Sequence, residues 1–159
     1  MILTEESVQE IKKRAARYPH IKSAILPALT IAYRQVGHVD DEIYKEISSI
    51  IGIPKVEIAE AATFYTMFPK KPRGKYLLQV CNNISCALMG SDAMIKYLEE
   101  KLDIKLGETT DDKMFTMVGV ECLGSCSTAP MIQVNMDYHE NLNKEKVDKL
   151  IDDLRNNKD

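Results

Sequence analysis

Through the first half of the chain, apolar residues recur at helical spacing. Behind Thr4, the residues Val8, Ile11 and Ala15 fall on one side of a helix that must stop before Pro19. Thr4 stands where its hydroxyl can accept one of the N–H groups that a first turn leaves free. A second helix is expected over about residues 23–36, with Pro27 in its first turns and Gly37 as a left-handed stop. A third starts near Asp40, shows Ile43, Ile47, Ile50 and Ile51 at helical spacing, and ends at Gly52. A fourth starts at Pro54, carries Val56, Ile58, Ala59 and Ala62, and runs into Thr63-Phe64-Tyr65. Helices this short are marginal alone, so the four are expected to form a small bundle.

The second half alternates between two periods. Tyr76-Leu77-Leu78-Gln79-Val80 reads as a strand and meets Cys81 at once. Residues 90–102 read as a helix with Met94, Ile95, Leu98 and Leu102 on one side. Met114-Phe115-Thr116-Met117-Val118 and Met131-Ile132-Gln133-Val134-Asn135 are two further strands, and a short one is expected over 138–142. Asn143 caps a last helix that turns Val147, Leu150, Ile151 and Leu154 inward. The order β-α-β-β-α predicts a small mixed sheet with helices packed on it, so the whole chain is expected to be α+β.

Charge changes where the period changes. Residues 1–74 hold eleven Lys and Arg against nine Asp and Glu, a balance of +2. Residues 75–159 hold ten against fifteen, a balance of -5. The seam, Pro69-Lys70-Lys71-Pro72-Arg73-Gly74, is a poor helix and a good connector. Two domains are therefore expected, a helical one over 1–74 and an α/β one over 75–159. The net charge of -3 speaks against a generally basic nucleic-acid binder. No apolar run approaches the roughly 18 to 20 residues of a membrane span, and the acidic start is unlike a signal peptide. A cytoplasmic protein without direct membrane contact is expected.

Four cysteines then change the picture. In a reducing compartment they are not expected to pair as structural disulfides, and they are clustered as Cys81-Asn-Asn-Ile-Ser-Cys86 and Cys122-Leu-Gly-Ser-Cys126. Each pair follows a strand, and a strand end is a rigid base for a ligand loop. A [2Fe–2S] cluster needs four thiolates, two per iron, which this chain supplies with none to spare. Three other readings stay open on chemistry alone. Four-cysteine zinc usually has two residues between the members of at least one pair, against four and three here. A thiol–disulfide enzyme wants Cys-x-x-Cys, and inert buried cysteines need no pattern. His20, His38 and His139 are scattered, so a mixed Cys/His site is not expected.

The run Glu121-Cys122-Leu123-Gly124-Ser125-Cys126-Ser127-Thr128-Ala129-Pro130-Met131 resembles the second cluster loop of the NuoE family, the E subunits of NADH–quinone oxidoreductase. Related subunits belong to NAD-linked hydrogenases and formate dehydrogenases. Cys81 to Cys86 with Leu88-Met89-Gly90 resembles the first loop of that family, and the likeness continues through residues 62–68, 74–76 and 26–29. Where the family often has an aromatic residue after a glycine, this chain has Gly37-His38. The resemblance implies a helical N-terminal domain followed by a thioredoxin-like ferredoxin domain, with one [2Fe–2S] cluster on Cys81, Cys86, Cys122 and Cys126. It also implies docking on a flavoprotein that binds NADH and FMN, beside further iron–sulfur subunits. The chain would then be a non-catalytic electron-transfer subunit of an NADH dehydrogenase-type complex, and no Gly-x-Gly-x-x-Gly follows any expected strand. The competing function class is a metal-stabilised interaction or sensor protein without electron flux. With four thiolates and an acidic domain around it, the cluster is expected to have a low potential.

Three other features have two readings each. Phe64, Tyr65, Met67 and Phe68 fit core packing between the domains or an anchor for the flavoprotein. Lys70, Lys71, Arg73 and Lys75 fit a solvated run or a docking patch for an acidic partner. Ala129-Pro130 before a strand fits a cis bond as well as a trans one.

Overall fold

The computed structural model describes residues 2–157. The chain folds as two compact units, Met1–Pro72 and Arg73–Asp159.

The first unit is helical. Helix α1 spans Glu5–Ala15 and is capped by Thr4, whose hydroxyl accepts the Ser7 N–H at 3.3 Å. A 3-10 turn over Ile21–Ala24 leads into α2, Ile25–Val36. The expected second helix thus begins with a tighter turn, and Pro27 falls in the first turn of α2, where it takes no N–H from the ladder. Gly37 ends α2 at φ +80°, a backbone conformation that costs an L side chain about 1 kcal/mol or more. Helix α3 spans Asp41–Ile51 between two strong signals. Asp40 accepts the Ile43 N–H at 3.1 Å, and Gly52 closes the helix at φ +69°. Helix α4 spans Lys55–Phe64.

The buried faces are those the spacing requires. Ile11, Leu29, Ile43, Ile47 and Ile58 are buried together in one core. Each such side chain contributes roughly 1.5–3 kcal/mol through removal from water. Val56 departs from the apolar pattern and is 69% exposed. In the aromatic run, Phe68 is buried in this core and meets Tyr33 edge-on at 6.4 Å. Phe64, Tyr65 and Met67 are exposed.

The second unit is a four-stranded sheet with helices. Its elements are β1 (Tyr76–Cys81), α5 (Ile84–Leu88), α6 (Ser91–Leu102), β2 (Phe115–Val120), β3 (Ile132–Val134), β4 (Asp137–His139) and α7 (Lys144–Asn156). The strand order is β2-β1-β3-β4. β1 runs parallel to β2, with Tyr76 opposite Phe115 and Cys81 opposite Val120. β1 and β3 are antiparallel, as are β3 and β4. The fold is α+β with a mixed sheet, as the alternation of periods predicts. Leu78, Val80, Leu98, Phe115, Met117, Ile132, Val147 and Ile151 fill its core. Asp148 accepts the Tyr97 hydroxyl and pairs with Lys101 at 2.7 Å, which ties α7 to α6.

The entrance to β1 is tightly built. Gly74 donates its N–H to Thr116 Oγ1 at 2.7 Å. A Cβ on Gly74 would meet backbone atoms of Phe115 at 2.8 Å and of Met114 at 2.9 Å. Backbone in a parallel pair cannot swing aside as a flexible side chain can. Gly74→Ala is therefore expected to destabilise the second unit by about 1–3 kcal/mol, the usual cost of overpacking. Denaturant unfolding followed by far-UV circular dichroism checks this, and an unchanged midpoint would contradict the steric argument.

Candidate metal centre

Parallel neighbours end at the same edge of a sheet, so the segments that follow β1 and β2 emerge side by side. Both cysteine pairs lie on those segments. Cys81 is the last residue of β1 and is buried. Asn82 then donates its N–H to Val120 O at 3.0 Å, which keeps the two strand ends together. Asn83 turns the chain into α5, its side-chain oxygen accepting the Ile84 N–H at 2.7 Å. The short helix buries Cys86 and exposes Ile84 and Leu88. Gly90, at φ +97°, redirects the chain into α6.

The second pair sits on a looser segment. After β2, Cys122 is exposed, and the Gly124 N–H donates to its sulfur at 3.3 Å. Gly124 adopts φ +76°, which makes the tight turn between the two cysteines possible. Cys126 opens a 3-10 turn over Cys126–Thr128 and is also exposed. The Ala129–Pro130 bond that follows is cis, one of the two forms expected there. Ala129 and Met131 pack with Cys81 and Cys86 in a small buried cluster.

All four cysteines line one cavity of about 140 Å³, together with Asn83, Ile84, Ser85, Gly124 and Ser125. All four are free thiols. No histidine lines this cavity, and His38 lies in the first unit, 3.6 Å from Asp40. Among the described residues, no three of His, Cys, Asp and Glu gather as a site for a single ion. A two-iron cluster asks only two thiolates of the protein per iron.

The electrostatics of the buried pair favour one thiolate. Burial opposes ionising Cys81, but the backbone N–H groups of Asn83 and Leu123 and the Cys86 thiol donate to it and hold its pKa below the ordinary thiol value. Burial pushes the Cys86 thiol up to about 11, reinforced by its bond to Cys81 and the charge beside it. The second proton is therefore the costly one. A positive metal that takes both sulfurs offsets the burial penalty and the repulsion that together raise it. Four sulfur donors, N–H groups aimed at sulfur and one shared cavity fit an iron–sulfur group.

Around the second loop runs a set of hydrogen bonds that sequence patterns do not show. Tyr138 donates its hydroxyl to Leu123 O at 2.7 Å. Glu140 accepts from the Ser125 hydroxyl and from Thr128 Oγ1, the latter at 2.6 Å. Those two hydroxyls hold the Glu140 carboxyl below the usual carboxylate range. An acid just after a short edge strand carries no signal that separates it from a solvated surface residue. Helix α5 was equally hidden, although Asn83 one residue before Ile84 is a cap signal.

The chain is similar to known proteins. The family model described as "Thioredoxin-like [2Fe-2S] ferredoxin" matches residues 11–155. The chain is 47% identical over 147 residues to the E 2 subunit of the NADH-quinone oxidoreductase of Rhizobium meliloti (strain 1021), covering 92% of this chain and 88% of that one. It is 46% identical over 140 residues to the corresponding E subunit of Rickettsia conorii, covering 87% and 84%. Among solved structures, an NAD+-reducing [NiFe]-hydrogenase in the H2-reduced state matches in fold with a TM-score of 0.72 at 24% identity, over 85% of this chain. The chain spans about a fifth of that hydrogenase chain, 22% of its length.

Proposed function

The chain belongs to the thioredoxin-like [2Fe–2S] ferredoxin family, and on that premise we infer that it is an electron-transfer subunit with one cluster held by Cys81, Cys86, Cys122 and Cys126. When bound, such a cluster takes up and releases one electron at a time. Cys81 and Cys86 would serve one iron, and Cys122 and Cys126 the other, because each pair shares one segment. The observation that carries this reading is the single cavity lined by all four sulfurs. With four protein thiolates the set is full, so the site stores an electron and does not bind a substrate.

The relatives at 46–47% identity are E subunits of NADH-quinone oxidoreductases, and this chain is read as the counterpart of those subunits. Its partner would be a flavoprotein that binds NADH and FMN, with further iron–sulfur subunits beyond it. The parent complex would be a quinone reductase, an NAD-reducing hydrogenase or a formate dehydrogenase. The hydride chemistry would occur on the partner, and this chain would exchange single electrons near the flavin. Ile84, Leu88 and Met89 are 71%, 81% and 62% exposed on and beside α5, and supply an apolar rim next to the buried cysteine pair. Among the described residues, no helix is long and apolar enough to cross a membrane. A place in a cytoplasmic peripheral arm rests on the likeness to the relatives alone.

The test is an EPR-monitored redox titration of the complex purified anaerobically with its flavoprotein. The expected result is about two iron and two acid-labile sulfides per chain, with a one-electron signal that develops only at low potential. The chain alone is expected to show no NADH oxidation. Zinc at these cysteines, or a redox-silent metal, would favour a structural or sensor role instead.

A further inference from the structure

We propose that Glu140 is a positioning residue for the cluster: its carboxylate clamps the loop that presents Cys122 and Cys126. This rests on the reading of the four cysteines as ligands. The two halves of the site are held in different ways. Cys81 and Cys86 are fixed by β1, by α5 and by burial against Ala129 and Met131. Cys122 and Cys126 are exposed and lie on a segment without strand pairing. Something else must hold their sulfurs at a fixed separation, because ligand loops gain affinity from partners that orient them.

The strand β4 and the residues after it do this at four places. Tyr138 donates to Leu123 O, one residue beyond Cys122. Glu140 accepts from Ser125 Oγ and from Thr128 Oγ1, which flank Cys126 on both sides. The two hydroxyl oxygens lie 2.6 Å from each other, and with one proton apiece both donate to the same carboxylate oxygen, which holds them together. Behind it, the Asn141 N–H donates to Thr128 O at 2.7 Å and the Leu142 N–H to Pro130 O at 3.0 Å. Only Glu140 among these groups brings a full charge, and it sets that charge one hydrogen bond from the residue before Cys126. It therefore has two separable effects. Its oxygen holds the loop, and its charge disfavours adding an electron nearby.

The two effects can be tested apart in the full-length holoprotein. Glu140→Ala removes both, Glu140→Gln keeps an acceptor oxygen and removes the charge, and Thr128→Val removes one arm of the clamp while keeping the side-chain shape. Two quantities are read: the rate at which visible absorbance bleaches under an iron chelator, and the midpoint potential. Glu140→Ala and Thr128→Val are expected to bleach about 10-fold or more faster than the parent, the scale seen when outer partners of metal ligands are removed. Glu140→Gln is expected to bleach close to the parent rate and to show a higher potential. Metal-free forms of the two Glu140 variants should unfold at the parent temperature, since Glu140 is exposed. Parent-like bleaching of Glu140→Ala overturns the proposal alone, as does a Glu140→Gln that bleaches like Glu140→Ala. A parent protein without iron and sulfide overturns the functional reading and this proposal together.

Discussion

Replacing any one of Cys81, Cys86, Cys122 or Cys126, the proposed ligands, with serine is expected to remove most of the visible absorbance and iron from the purified protein. A hydroxyl is a far poorer iron ligand at neutral pH than a thiolate, because it holds its proton more tightly. The loss is expected to exceed the roughly 10- to 100-fold weakening caused by changes to partners outside the ligand set. The four variants should nevertheless divide into two kinds. Cys81 and Cys86 are buried beside Ala129 and Met131, so a serine there leaves a hydroxyl in an apolar cluster. A buried hydroxyl with a lost partner costs about 1–3 kcal/mol, so Cys81→Ser and Cys86→Ser should also lower the unfolding temperature of the metal-free protein. Cys122 and Cys126 are exposed, and their serine variants should lose iron while the metal-free fold stays as stable as before. Iron and sulfide analysis beside a thermal melt reads both quantities. A variant that retains full iron and sulfide would remove that cysteine from the ligand set.

The largest effect on stability is expected at Phe115. The side chain is fully buried at the start of β2. Its ring stacks on Tyr76 with centroids 5.8 Å apart, and the Arg155 guanidinium lies over it at 5.8 Å. The backbone around it is fixed as well. Its N–H donates to Thr110 Oγ1 at 3.0 Å, and its carbonyl accepts the Thr110 N–H at 2.9 Å. Gly74 lies close against the same backbone. A cavity walled by pinned backbone relaxes poorly, so Phe115→Ala should cost about 3–5 kcal/mol. That is a large share of the roughly 5–15 kcal/mol that holds a typical domain. The measurement is the denaturant midpoint of the second unit. A loss below about 1 kcal/mol would mean that the site collapses easily, contrary to the geometry.

Much of the fold was legible because its ends are marked by chemistry. Thr4, Asp40 and Asn143 cap helices with their side chains, and Gly37 and Gly52 close α2 and α3 in the left-handed region. Strands β1 and β2 read directly from their apolar, β-branched and aromatic residues. Helix α5 did not, because five residues are too few for a period and its two largest apolar side chains point outward. Val56 misled in the opposite sense, since an apolar residue on a short helix need not face the core. At the site, the spacing of the cysteines and their places after strands could be read in advance. Their convergence on one cavity was expected from the four-thiolate count and the family resemblance, not from any local pattern, because it depends on the parallel pairing of β1 with β2. The Glu140 clamp was invisible for a related reason. Its partners are 12 and 15 residues away, and an exposed acid has many ordinary uses.

The strand order β2-β1-β3-β4 also sets a timetable for biosynthesis. Translation delivers β1 first, yet this strand is flanked by partners that begin only at Phe115 and Ile132. A nascent chain that ends at Cys126 already has every thiol, but β3 and β4 still lie ahead in the message. Until they emerge, one side of β1 has no partner, and Cys81 lacks the carbonyl of Met131 that its N–H meets in the finished sheet. The thiols are therefore translated well before the scaffold that arranges them is complete. On the proposed ligand set, iron would be taken up by the completed fold, with the exposed pair, Cys122 and Cys126, as its point of entry.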